Sequence, residues 1–399
     1  MYNIHKKNNW PLNINNISQE DRQDIANFIL DPNTRWTQDT QVKLIEQEFA
    51  EYVNSKYAVF TSSGSTANTI LAQYTRDKLE VRSNKNIVVF PSTTWQTSCS
   101  PWIREGFIPV FLDISLSDFS LDKDKLIQYI KSYYNNIACI FPTSLIGYVP
   151  DIAFYYEIQN KYNIQIMFDN CENTLGQFNN KNISSYFTST TSTYFGHQIQ
   201  SVEGGLIFTN SQIEYEYFLM LRNHGMTRSL LPYNLSNDNY INHQVDSLFD
   251  FYCLGSNYRN TDIHAFIGRK DLIRAKEYSA KRKHLYSIYK DTLDHNKYYL
   301  PQTRINCDDI PFCLAIIPFN KAVTVDAINM CRMQNIEYRP IISGFLGFQT
   351  AYKKYFSHGT AIDQYKNSIF LHNNGFYVGL HTGLDDNDII ELTSMLNNL

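Results

Sequence analysis

Four short stretches place reactive or binding side chains just where an apolar run ends: TSSGSTANTI (61–70), PSTTWQTSCSPW (91–102), IQIMFDNCENTLG (164–176) and TSTTSTYFGHQIQSVEGGLIFTN (188–210). In the first, Gly64 allows close backbone approach, and Ser65 and Thr66 set hydroxyls beside the free N–H groups of a helix start, which suits a phosphate. The Gly-Lys pair of a Walker loop is missing, and a plain Ser/Thr helix cap would read the same way. Trp95 either stacks on a planar ring at a strand end or fills core. Asp169 comes directly off an apolar run with Glu172 three residues on, so both carboxyl groups can reach one crevice. A protonated ring nitrogen would partner such a buried carboxylate; an aspartate capping the next helix is the alternative. His197 stands before a Glu203-Gly204-Gly205 turn and a short strand, where it is either a proton-transfer group or a core histidine.

These residues need a scaffold that brings strand ends together. Short β-rich runs at Tyr57–Phe60, Ile87–Phe90, Ile108–Leu112, Ile137–Phe141, Ile164–Phe168 and Leu206–Thr209 alternate with helix-compatible stretches, a rhythm that predicts an α/β fold with a largely parallel sheet. In such a sheet ligands collect at the carboxyl ends of the strands. Helical periodicity is clearest over 42–53 and 271–293, and the Lys/Arg-rich run in the second reads as a solvated face. A strand in FCLAIIPF, a helix in VTVDAINMCRMQ and a closing helix DDNDIIELTSMLNNL predict a smaller α+β domain at 263–399 behind a large domain at 1–262. No repeat or low-complexity linker separates the two.

The 399 residues, 43% hydrophobic, are enough to bury a large core and a smaller one. A formal charge of -4 without a long basic block argues against nucleic acid or an anionic membrane surface as the main partner and leaves small molecules. The seven cysteines form no C-x-x-C pair and no zinc or iron-sulfur spacing, so no metal is expected and the thiols are expected to be reduced. The apolar runs are strand-length and the start has no apolar signal core, which points to the cytoplasm. Three matches to the N-glycosylation pattern are expected by chance in so asparagine-rich a chain.

Taken in this order, the four segments resemble the DegT/DnrJ/EryC1/StrS sugar aminotransferase family of fold-type-I pyridoxal phosphate enzymes, which act on nucleotide-linked keto sugars. The resemblance runs over nearly the whole chain and includes LIEQEFAEYVNSKYAVFTSSGSTAN, RNHGMTR (222–228), GSNYRNTDIHAFIG (255–268) and IEYRPIISGF (336–345). Aminotransferases of this family carry a lysine where His197 stands; a dehydratase branch carries histidine, and DNCE (169–172), HGMTRSL (224–230) and NGFYVGLH (374–381) echo that branch. No lysine occurs between Lys181 and Lys270, so none can take the place of His197 by a shift in register. Three departures leave the sugar open: Gln198 where the branch usually has a second histidine, Phe345 where it has asparagine, and LGSN where it has PGYN. A related iron-sulfur type is excluded because residues 211–252 contain no cysteine cluster.

The resemblance implies a lyase: a 3-dehydratase of a nucleotide-linked 4-keto-6-deoxy sugar in deoxysugar biosynthesis for a surface polysaccharide. It implies pyridoxal or pyridoxamine 5'-phosphate bound without a covalent link, with Asp169 at the ring nitrogen, Trp95 stacked on the ring and Glu172 near its hydroxyl. Gly64, Ser65 and Ser192 would hold the phosphate, with Asn257 arriving from a second subunit of a homodimer. Arg228 and Arg339 would bind the nucleotide's phosphates or an amino-acid carboxylate. His197 would take the proton at the cofactor's C4' carbon as the sugar's C3 hydroxyl leaves, and L-glutamate would restore the amine. Two other readings are a 4-aminotransferase of the same sugars and a non-catalytic binding protein; the second predicts random loss at the other ligand positions, yet Asp169, Trp95, Ser192 and Asn257 remain.

Overall fold

A computed structural model describes residues 9–79, 84–236, 249–356 and 362–399. Strands β1 (Tyr57–Thr61), β2 (Ile87–Pro91), β3 (Ile108–Leu112), β4 (Ile137–Ile140), β5 (Gln165–Ile166), β6 (Phe168–Asp169), β9 (Ser189–Ser192) and β10 (Gly205–Thr209) build the main sheet, while the two-residue strands β7 (Gln177–Phe178), β8 (Lys181–Asn182) and β11 (Cys307–Asp308) form a small separate one. Two hydrogen-bonded ladders, β3-β2-β4-β5 and β6-β9-β10-β1, run into one another because β5 and β6 are separated only by Met167. All neighbours are parallel except along β10, which is antiparallel to both β9 and β1. The expected α/β architecture is present, and each of the six anticipated strands lies within a residue or two of its observed position.

Helices cover both faces, as the near-continuous apolar strands demand. On one side α3 (Gly64–Lys78), α4 (Gln96–Arg104) and α7 (Gln212–Arg222) enclose a core around Val88, Phe90, Trp102, Phe141 and Phe218. On the other, α5 (Lys123–Tyr133) and α6 (Ile152–Tyr162) cover Val89, Ile140, Ile166 and Phe168. Helices α2 (Thr40–Tyr52) and α8 (Asp262–Leu272) pack together, and Asp262 ties them by accepting from the amides of Asp39, Gln41 and Val42.

The periodic stretch 271–293 is divided: α9 runs only from Ala275 to Thr292, and Asp271 closes α8 with its carboxylate accepting from the Gln200 amide. In the C-terminal part, β12 (Cys313–Ile316), β13 (Tyr338–Pro340) and β14 (Phe376–Gly379) form an antiparallel sheet in the order β12-β14-β13. Its core takes in α9, α10 (Lys321–Met333) and α12 (Asp386–Asn397), and it also includes Leu145, Ile146 and Tyr148 from beyond β4, so the two parts share apolar contacts. Among the described residues no helix is long and apolar enough to cross a membrane.

Candidate active site

The loop between β6 and the hairpin of β9 and β10 forms the centre of the site. Asp169 ends β6 and is buried; its Oδ2 accepts from Asn68 Nδ2 at 2.8 Å and Ser98 Oγ at 2.6 Å, and its Oδ1 accepts from the Cys171 amide at 3.0 Å. Three donors on one carboxylate fix its orientation from three elements at once. It is not a helix cap, which removes the bland alternative for this residue.

The start of α3 lies beside it. Ser63 caps the helix in a capping box with Thr66, leaving the amides of Gly64 and Ser65 in the first turn without an intrahelical partner. A Cβ on Gly64 would come within 2.7 Å of Cys171 Sγ and 2.9 Å of Ser192 Cβ, so the helix terminus, Ser192 and the Asp169 loop meet at one point. A Cβ on Gly205 would collide with the backbone of Ser63 and Gly64, which explains a glycine at that place in the turn. Ser65 Oγ donates to Thr97 Oγ1 at 2.8 Å, joining the α3 start to the first turn of α4. At the head of α4, Trp95 is 56% exposed: it is not core, and its ring is open for stacking.

Glu172 accepts from the Ile146 amide at 2.8 Å, and burial pushes its carboxyl up to about 8, with Asp169 adding to the rise. His197 sits at the far end of the β9–β10 hairpin, whose neck is closed by bonds from Thr193 N to Gly204 O and Ser201 N to Thr193 O. The half-buried ring is walled by Tyr194 and Phe312, and its Nδ1 has no hydrogen-bond partner among the described residues. Burial lowers its pKa to about 4, against the opposing pull of Asp169 and the Ser192 backbone, so the imidazole is neutral at pH 7. That is below the near-neutral value imidazole has in water, because the apolar walls disfavour the charged form.

Arg228 lies over the Phe249 ring at 4.5 Å and lines a cavity of about 280 Å³ together with Arg35, Lys43, Arg222 and Arg259. Arg339 is elsewhere, exposed on β13 and paired with Glu337 at 2.8 Å. Asn257 is exposed, with its Oδ1 accepting from Arg259 Nε at 2.9 Å. The structure thus gathers Gly64, Asp169, Glu172, Ser192 and His197 around one loop, with Ser65 and Trp95 at adjoining helix starts; Asn257 lies next to Tyr258, whose carbonyl accepts from the Ser62 amide ahead of α3, Arg228 lines the cationic cavity, and Arg339 is on β13. Sequence reasoning passed over Asn68 and Ser98, the two side-chain donors to Asp169; Asn68 lies one helical turn from Gly64 inside a stretch already singled out. Phe345, a departure from the dehydratase branch, is core: its ring packs among Phe348, Phe356 and Tyr365.

The GDP-4-keto-6-deoxy-D-mannose 3-dehydratase of Yersinia pseudotuberculosis is 27% identical over 93% of this chain and 92% of its own. The solved structure of the Escherichia coli GDP-4-keto-6-deoxy-D-mannose-3-dehydratase with bound hydrated PLP superposes with a TM-score of 0.85 at 25% identity, covering 97% of this chain and 99% of that one. A GDP-4-keto-6-deoxymannose-3-dehydratase structure with a trapped PLP-glutamate geminal diamine matches with a TM-score of 0.85 at 26% identity, over 97% and 100% of the two chains. The model of the DegT/DnrJ/EryC1/StrS aminotransferase family matches residues 16–397, and the chain belongs to that family.

Proposed function

We propose that the protein is a pyridoxal/pyridoxamine phosphate-dependent 3-dehydratase of a nucleotide-linked 4-keto-6-deoxy sugar that renews its cofactor with L-glutamate. The observation that carries this reading is a neutral, half-buried imidazole at the end of the β9–β10 hairpin, in a stretch of chain without lysine. The relatives named above support it: two are dehydratases of such a sugar with bound PLP or a PLP-glutamate adduct.

The residues present fit the cofactor. The crowded junction at Gly64 and Ser192, next to unpartnered helix-start amides, suits a phosphate, and the open face of Trp95 suits a ring. When bound, the cofactor supplies an amine that joins the sugar's ketone and a ring that draws electrons from it. Asp169, held by three donors, presents a fixed carboxylate to the ring nitrogen. Glu172, protonated up to about pH 8, offers a neutral carboxyl to the ring hydroxyl. His197 has a free, buried Nδ1 and takes the proton from the C4' carbon, which a neutral imidazole can accept. Arg228 and Arg339 bind phosphate or carboxylate groups, and Asn257 reaches the phosphate held by a partner subunit, which makes the enzyme a homodimer.

In this reading the protein is cytoplasmic, has no nucleic-acid or membrane partner, and serves deoxysugar synthesis for a surface glycan; residues 1–262 form the cofactor domain and 263–399 the smaller one. The test is to incubate the protein with pyridoxal phosphate, glutamate and a panel of nucleotide-linked 4-keto-6-deoxy sugars and to weigh the products. Loss of the C3 oxygen with release of ammonia is expected. A stable amino sugar would replace this reading with a 4-aminotransferase, and no turnover on any sugar would leave a binding protein.

A further inference from the structure

Gln198, immediately after His197, is buried and bonded at both ends of its amide. Its Oε1 accepts from the Leu175 amide at 2.9 Å, three residues beyond Glu172, and its Nε2 donates to the Ile310 carbonyl. A backbone N–H on one side and a carbonyl on the other leave only one orientation for the amide. Ile310 in turn donates its amide to the Gly147 carbonyl at 3.1 Å, and Gly147 is next to Ile146, whose amide holds Glu172 at 2.8 Å. A Cβ at Gly147 would run into the Ile310 backbone, so the two segments are in direct contact. Two residues past Ile310, Phe312 packs its ring against His197 with centroids 5.9 Å apart. The bonds therefore form a closed circuit from Glu172 through Ile146, Gly147, Ile310 and Gln198 back to Leu175, and His197 is attached to it at Gln198. The same short segment is also held from behind, where Arg282 Nη1 donates to the Gln198 carbonyl at 3.3 Å and Asp271 accepts from the Gln200 amide at 2.9 Å.

We infer that Gln198 is a positioning residue for His197: its side-chain amide locks the end of the β9–β10 hairpin in register with the Asp169–Glu172 segment, so that the imidazole and the two carboxyl groups keep a fixed spacing. The inference rests on the role proposed for His197. An amide does this without titrating beside the buried guanidinium of Arg282. A neutral imidazole offers one donor and one acceptor and can replace it.

The test compares Gln198→Met, which fills the space without either bond, with Gln198→His. Melting temperature, pyridoxamine phosphate affinity, kcat, KM and the titration of the His197 ring followed by NMR in the cofactor-free protein are measured for each. Gln198→Met is expected to melt within a few degrees of the wild type and to bind the cofactor with similar affinity. Its kcat should fall roughly tenfold or more at nearly constant KM, and the His197 pKa should rise from about 4 toward the ordinary value of about 6.5 as water reaches the loosened ring. Gln198→His should recover most of both properties. A Met variant with wild-type kcat and an unmoved His197 titration overturns the inference, as does one that loses cofactor affinity and melting temperature with no selective change at His197. If the Met variant does not fold, Gln198→Asn, one methylene too short to bridge both partners, is held to the same expectations. Should the wild type dehydrate no sugar, the function proposed above fails, while the His197 titration still decides the inference.

Discussion

The amide of Ile146 donates to Glu172 Oε2 at 2.8 Å from a backbone at φ 58°, a left-handed conformation that a β-branched residue rarely adopts. Ile146 is fully buried, so surrounding core contacts hold the strained turn in place, and the turn in return supplies the one hydrogen bond that Glu172 receives among the described residues. One bond does not offset the loss of water around this half-buried carboxylate, which is why the group keeps its proton to about pH 8.

That shift has a sign that can be measured. A carboxyl with its folded pKa raised from 4.5 to about 8 stabilises the fold fully below pH 4.5 and loses that contribution as pH rises through 8. His197, lowered from 6.5 to about 4, behaves oppositely, contributing above pH 6.5 and losing its contribution as pH falls through 4. Between pH 6.5 and 8 only Glu172 of this pair still changes, so the cofactor-free wild type should lose about 2 kcal/mol relative to Glu172→Gln across that interval. Denaturant melts of the two proteins at several pH values check this; parallel curves would reject it.

Gly205→Ala should weaken the proposed cofactor phosphate site. The added Cβ meets the Ser63 and Gly64 backbone, so the start of α3 must move, and such overpacking costs about 1–3 kcal/mol. The expected outcome is a folded protein with roughly tenfold or greater loss of affinity in a pyridoxal phosphate fluorescence titration.

What is local in the chain is legible in its sequence. Strand positions followed from runs such as Ile87–Pro91, and Asp169 stood out because it leaves an apolar run directly. The break between α8 and α9 is not legible because the residues on either side of it continue a helical pattern; it falls at Ile273 and Arg274, where the Arg274 amide donates to the Asp271 carbonyl. Gln198 gave no such hint: its partners lie 23 and 112 residues away, and a lone glutamine has no spacing that reveals them. Arg228 and Arg339 were paired in expectation by side-chain chemistry alone, and within one chain they occupy different elements.

The cofactor should be held without a covalent bond, because the hairpin end that carries His197 offers no amine and the nearest lysines in sequence are Lys181 and Lys270. Lys270 is occupied in an ion pair with Asp24. Borohydride treatment followed by intact-mass measurement should leave the protein mass unchanged, and a stable pyridoxyl adduct on one lysine would contradict this.

Asn257→Ala should report on the partner subunit. The side chain is exposed in the single chain, so its removal leaves the core intact, whereas a lost charge-assisted hydrogen bond to phosphate costs about 1.5–3 kcal/mol. Cofactor affinity should drop by roughly tenfold to a hundredfold with little change in melting temperature. A fully active monomer at high dilution would exclude the shared site.

His197→Asn is the most direct probe of the proposed chemistry. Asparagine keeps a polar side chain of similar reach between Tyr194 and Phe312 but cannot accept a proton at neutral pH. Cofactor binding should persist, since Asp169, Ser192 and the α3 start are untouched, while turnover should fall by about a hundredfold to ten-thousandfold, the usual loss when a general base is removed. The pH profile sharpens the test: a base with its pKa lowered to about 4 leaves wild-type kcat/KM flat on the acid side down to roughly pH 5, so a limb near pH 6.5 would mean that the imidazole is hydrated in the working enzyme. His197→Lys asks the reverse question, because an amine in this position can capture pyridoxal phosphate covalently, and the borohydride experiment should then add one pyridoxyl mass. Near wild-type dehydration and glutamate deamination by His197→Asn would move the proton transfer to another group in the same strand-end crevice, and not to Glu172, which keeps its own proton to about pH 8.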